Sequence, residues 1–129
     1  MPYEVSFVKP VPIVNRDYIN DCCIGGDIVV DRLLPTVRAR YQAVQSNQEG
    51  WGWFIWFKKD AIGLAIDVFT DSAEHGQFRI HLTSHTKRLF SRRVADTPEL
   101  EELRTMVESE LKAWGAGAIN TTHLNKNYM

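Results

Sequence analysis

The residues best suited to chemistry cluster in one stretch: Asp67, Arg79, His81 and His85, with Thr83 between the histidines. A carboxylate, a guanidinium and an imidazole are the groups that a small anionic ligand or an acid–base step would use. In that role Arg79 holds the anionic group, His81 gives or takes the proton, and Asp67 orients Arg79. His81 and His85 also have the H-x-x-x-H spacing that puts two imidazoles on one metal ion when they lie on a helix. Here the surrounding residues alternate, which predicts a strand, and four residues of strand span about 13 Å. The two rings cannot share an ion in that geometry, and no third ligand accompanies them. The sequence therefore leads us to expect no metal, no cofactor and no assembled catalytic group.

Other candidates are weaker. Cys22 and Cys23 are adjacent, so they make a poor cross-link to each other. They fall near the predicted end of a helix, where the dipole raises rather than lowers a thiol pKa, so both are expected to be buried small apolar residues. Gly25-Gly26-Asp27 lacks the Gly-Lys-Ser/Thr ending of a phosphate loop and reads as one helix stopping and another starting. Residues 77–93 hold Arg79, Lys87, Arg88, Arg92 and Arg93 without an acid, and Phe90 lies among them. Nucleic acid could use the 85–93 part of this segment. But residues 94–110 follow with Asp96, Glu99, Glu101, Glu102, Glu108 and Glu110 against Arg104, so nucleic acid is the disfavoured partner.

The elements that must position these residues can be read from periodicity. Tyr3, Val5 and Phe7 alternate with polar residues up to Pro10 and Pro12, predicting a strand. Asn15 is a candidate cap for a short helix that ends at Gly25-Gly26. Asp31 is the preferred start of a second helix running to about Gln45, because Pro35 then falls in its first turn. SNQEG reads as a loop. Three strands follow, 51–57, 62–70 and 77–85, linked by turns at 58–61 and 71–76. A long helix runs from about Thr97 to Trp114, with Asp96 and Glu99 as a capping box and Gly115 just past its end. The expected fold is α+β: an antiparallel meander with an N-terminal strand, packed by two N-terminal helices and one long C-terminal helix. Residues 1–115 would form the single domain, and 116–129 a loosely packed tail.

Short links make the three strands antiparallel, and the turn lengths suggest a register. Pairing Phe57 with Ile62 and Ile66 with Ile80 puts Trp51, Trp53, Ile55, Phe57, Ile62, Leu64, Ile66, Val68, Phe78, Ile80 and Leu82 on one apolar face. The opposite face carries Phe54, Trp56, Gly63, Ala65, Asp67, Phe69, Arg79, His81 and Thr83, with Asp67 opposite Arg79 as a cross-strand ion pair. Gly63 and Ala65 form a low floor between the aromatics and the His81–Thr83 side.

The 129 residues suit one domain, and 44% apolar with 24% charged residues is ordinary globular composition. A formal charge of −1 gives no overall field to attract nucleic acid or an anionic membrane. The N-terminus lacks the pattern of a secretory signal, no run is long enough for a membrane helix, and the cysteines read as reduced. A cytoplasmic protein without membrane contact is expected, in which the Asn120-Thr121-Thr122 sequon has no meaning. The leading expectation for function is a non-catalytic interaction or regulatory module, acting as a homodimer or with a protein partner. Its binding residues would be Phe54, Trp56, Asp67, Phe69, Arg79, His81 and Thr83. The alternative is a binder of small anionic molecules, or an acid–base enzyme, on the same face.

Overall fold

Tyr3–Val8, the alternating segment at the N-terminus, is strand β1 in the computed structural model, and it lies inside the sheet rather than at its margin. The structure describes residues 2–13, 17–88, 91–94 and 97–124; the side chains of 87, 88 and 91–94 lie outside that description. Helix α1 spans Gly26–Arg40, followed by β2 (Gln42–Glu49), β3 (Gly52–Lys59), β4 (Ile62–Ser72), β5 (Gln77–Arg88) and the short β6 (Ser91–Val94). Helix α2 (Pro98–Ala113) and β7 (Gly117–His123) complete the chain. Every pairing is antiparallel, in the order β2-β3-β4-β5-β1-β7, with β6 beside the end of β5. Among the described residues, no helix is long and apolar enough to cross a membrane.

This α+β arrangement overturns the expected helix set. Among the described residues one N-terminal helix is present, not two, and α2 has 16 residues against 15 in α1, so it is not the long partner expected. Asp21–Cys23 is a single 3-10 turn, whose cap is Asn20 accepting from the Cys22 N–H; Asn15 lies outside the described residues. Helix α1 starts five residues before Asp31. Gly25 takes the left-handed conformation (φ 81°), and at Gly26 a Cβ would lie 2.5 Å from the Trp53 ring. The glycine pair therefore lets a helix begin beneath an indole, where the sequence suggested a helix ending. Trp53 fixes the approach by donating its indole N–H to the Cys23 carbonyl at 2.9 Å.

Pro35 consequently sits inside α1. Its ring removes the hydrogen bond to the Asp31 carbonyl, but Asp31 and Pro35 are both exposed, so water can take that carbonyl. Val29, Val30, Leu33, Leu34 and Val37 are buried on the other side and hold the helix to the sheet. Gln42–Glu49, predicted as helix end and loop, is an edge strand. Its polar residues carry no period-2 signal, and the hydrogen bonds of β3 impose the strand. In α2 the cap is Thr97, whose hydroxyl accepts from the Leu100 N–H at 3.1 Å; Asp96 lies outside the described residues. Gly117–His123, read as the start of a tail, pairs with β1.

Both helices lie on one side of the sheet. Tyr3, Val5, Phe7, Ile55, Phe57, Leu64, Ile66, Val68, Phe78, Ile80 and Leu82 point to them and are buried with Leu100, Leu103, Met106, Val107 and Leu111 of α2. Burying one such side chain contributes about 1.5–3 kcal/mol, so this inner layer is the main source of stability.

Candidate functional site: the outer face of the sheet

Because strand side chains alternate, a fully apolar inner face leaves every second residue pointing away from the helices. Among the described residues, no helix covers that outer face. One row runs across six strands: Asn47, Phe54, Asp67, His81, Glu4 and Thr122 are successive cross-strand neighbours. The next rows are Gln45, Trp56, Ala65 and Thr83 on one side, and Phe69, Arg79, Ser6 and Asn120 on the other.

The observed register differs from the expected one by two residues. Lys59 pairs with Ile62, so the first turn is only Asp60-Ala61, with Asp60 in the left-handed region at φ 55°. A slip of two keeps each side chain on its face but changes its neighbours. Phe54, Trp56, Asp67, Phe69, Arg79, His81 and Thr83 thus share one face, while the expected Asp67–Arg79 ion pair is absent: Asp67 faces His81, and Arg79 faces Phe69.

Arg79 finds other partners. Its Nε donates to both Asp71 carboxylate oxygens, at 2.9 and 3.0 Å, and its Nη1 to Glu4 Oε1 at 3.3 Å. His81 Nε2 meets the same Glu4 oxygen at 3.0 Å. Burial would raise the Glu4 pKa, but the hydrogen bonds from His81 and Arg79 outweigh it and hold the carboxyl below its usual value. With two carboxylates already on its guanidinium, Arg79 is poorly placed to grip an added anion.

The aromatic residues form a continuous belt. Trp56 stacks on Phe54 with ring centroids 4.8 Å apart, Phe54 meets Trp51 at 6.0 Å, and Trp51 meets Phe69 at 5.3 Å. Phe69 then contacts the His81 ring at 4.8 Å and lies under the Arg79 guanidinium, 5.0 Å from its ring centroid. Trp51 was expected in the core, yet it is 39% exposed and belongs to this belt. Gly52 is the reason. Its φ of 153° breaks the alternation, and a Cβ there would run into the Val68 carbonyl.

Asp67 sits within the belt, between Phe54 and His81 across the strands. Its Oδ1 is buried without a hydrogen-bond partner, and burial pushes the carboxyl up to about 6. Thr83 and Ala65 are also buried, although they point away from the core. Beyond Trp56 the face opens into a cleft of about 500 Å³, walled by Phe54 and Trp56 and floored by Gly63 and Ala65, with Lys58, Gln45 and His85 among its polar groups.

Sequence reasoning missed Glu4, Asp71 and Trp51. Glu4 alternates with Tyr3 and Val5, which assigns it a face, but only the β1–β5 pairing puts it beside Arg79 and His81. The cysteines divide: Cys23 is buried, with its thiol 3.0 Å from the Glu49 carbonyl, whereas Cys22 is exposed, contrary to expectation. Burial raises the Cys23 pKa, as suits an inert residue. The basic 85–93 segment falls largely outside the described side chains. A groove of about 630 Å³ lies between the end of α1 and α2, lined by Arg40, Tyr41, Lys59 and Glu102, but its Lys59 is already bonded to Glu102 at 2.5 Å. Among the described residues, no three His, Cys, Asp or Glu side chains are grouped to hold a metal. No protein-family model, curated protein or solved structure matches the chain, so the outer face has to be understood from its own chemistry.

Proposed function

We propose that this chain is a non-catalytic interaction module that pairs with a second copy of itself through the outer sheet face. The observation carrying this reading is the belt Trp56–Phe54–Trp51–Phe69, four packed rings on a face that no described helix covers. Aromatic side chains are the groups most enriched at interface centres. Six strands about 4.8 Å apart make a face roughly 24 Å wide, which with side-chain relief approaches the ~800 Å² per partner of a standard interface. A twofold dimer is the commonest assembly that uses one patch twice, and a net charge of −1 leaves little repulsion between copies.

The sheet edges favour association through the face. The strands at the two ends of the six-strand order are bulged: the β2 register shifts between Gln42 and Gln45, and that of β1 on β7 between Ser6 and Val8. In each bulge an alanine is left-handed, Ala43 at φ 54° and Ala118 at φ 50°. Bulges of this kind twist an edge away from further strand pairing.

Sedimentation equilibrium across a concentration series tests the reading. The native chain should reach the dimer mass, and Trp51→Ser or Phe54→Ser should weaken the dimer by at least about tenfold while the fold persists by circular dichroism. A native chain that remains monomeric at high micromolar concentration refutes it.

A further inference from the structure

Gly63 lies inside strand β4, where a glycine weakens a sheet by about 0.5–1 kcal/mol relative to alanine. Such a glycine usually marks a bulge, a bend, or the close approach of a backbone or a ligand. The pairing is continuous through Lys58–Gly63–His85, so no bulge is present. The nearest atoms to a Cβ at this position would be 3.9 Å away, in His85, so no neighbouring group requires its absence. What the missing side chain leaves is the floor of the outer-face cleft.

The lining of that cleft has a definite chemistry. Its volume of about 500 Å³ lies in the range of small-molecule sites. Trp56 and Phe54 stand along one side as a stacked pair, and Ala65 continues the low floor. None of the described lining residues is acidic. Lys58 and His85 flank Gly63 in a single cross-strand row, one on each neighbouring strand, and the exposed Lys58 brings an ammonium group to the edge of the floor. The carboxylates of the outer face, Glu4, Asp67 and Asp71, are absent from the lining.

We propose that this cleft binds a small planar aromatic anion, its ring lying on the Gly63–Ala65 floor against Trp56 and its anionic group at the Lys58 ammonium. Ring stacking on an indole and a charge-assisted hydrogen bond from an ammonium group are the two interactions such a ligand needs. This goes beyond the dimer reading and stands without it. Trp56 and Phe54 belong to both the belt and the cleft, so ligand and dimer would compete for them, but Trp51 lies outside the cleft and Gly63 and Lys58 lie outside the belt.

Titration with 2-naphthoate, followed by tryptophan fluorescence and by amide shifts, tests the site, with neutral 2-naphthamide as the control. Naphthoate should bind saturably, shift the amides of residues 56–65 and 83–86, and bind at least about tenfold more tightly than the amide. Gly63→Phe should abolish binding while leaving the melting temperature unchanged or higher, because phenylalanine suits a strand and here fills open space. Lys58→Met, at an exposed position, should reduce binding of naphthoate but not of naphthamide. The proposal is overturned if naphthoate does not saturate, if acid and amide bind equally, or if a folded Gly63→Phe protein binds as the native chain does. Because Trp51→Ser breaks the proposed dimer but leaves the cleft intact, it should keep naphthoate binding, which separates failure of one reading from failure of the other.

Discussion

The Asp67 carboxyl is buried between its cross-strand neighbours Phe54 and His81 with one oxygen unpartnered, and this makes its effect on stability depend on pH. Burial raises its pKa from 3.8 to about 6, so the folded chain binds the proton more tightly than the unfolded chain does. Its favourable contribution is complete below about pH 3.8 and is lost as pH rises through about 6. Above that, the buried carboxylate costs about 2–3 kcal/mol. Asp67→Asn should therefore stabilise the protein by about that amount at pH 8, with the gain shrinking towards zero near pH 4. Urea unfolding at the two pH values measures it, and an equal gain at both would show that the carboxyl is not the cause. Glu4 acts in the opposite sense. Its pKa is lowered by His81 and Arg79, so its contribution is present above the ordinary glutamate pKa and fades as pH falls through the folded value.

At the scale of elements, α1 tolerates a proline because packing on one side exceeds the loss of one hydrogen bond on the other. Replacing Pro35 with alanine restores the N–H to the Asp31 carbonyl and should raise stability by about 1–3 kcal/mol, less the entropy that proline removes from the unfolded chain. A differential scanning measurement showing a lower melting temperature would instead mean that the ring makes a packing contribution. Helix α2 depends on its first turn. The Thr97 hydroxyl accepts from the Leu100 N–H and also donates to the buried Ser84 hydroxyl at 3.1 Å. Thr97→Ala should cost about 1–2 kcal/mol in urea unfolding, while Thr97→Ser should recover most of it. Strand β7 belongs to the sheet, so a chain ending at Ala116 should lose stability and amide protection along β1, as read by hydrogen exchange.

For the whole molecule, pairing through the outer face would bring the belt onto Asp67 from both copies. Further burial of a carboxyl favours its neutral form, so the proposed dimer should tighten as pH falls from 8 to below 6. Asp67→Asn should make the dimer tighter at pH 8 and remove most of the pH dependence. Sedimentation at the two pH values decides this. A native dimer constant that does not change with pH would place Asp67 outside the interface. His81, Glu4, Arg79 and Asp71 face the same region and keep their mutual contacts in this arrangement.

The division of residues between the two faces of the central strands was legible in the sequence, because alternation fixes the face of each side chain whatever its exact partner. That is why Phe54, Trp56, Asp67, Phe69, Arg79, His81 and Thr83 were grouped correctly on one surface although the register was off by two. The partners themselves were not legible. The turn at Asp60-Ala61 set the register of β3 on β4. The link from Ser72 to Gln77, with an irregularity between Thr70 and Ser72, set that of β4 on β5, so Asp67 met His81 and Arg79 turned to Asp71 and Glu4. Where local pattern was weak, tertiary structure decided the outcome. Polar Gln42–Glu49 became an edge strand through the backbone bonds of β3, and Gly117–His123 became one through β1. Gly25-Gly26 became a helix start because Trp53 packs against it. Periodicity reports which side of an element is buried, a local property. Register, strand order and helix boundaries depend on residues far apart in the chain, and only their packing selects among the alternatives.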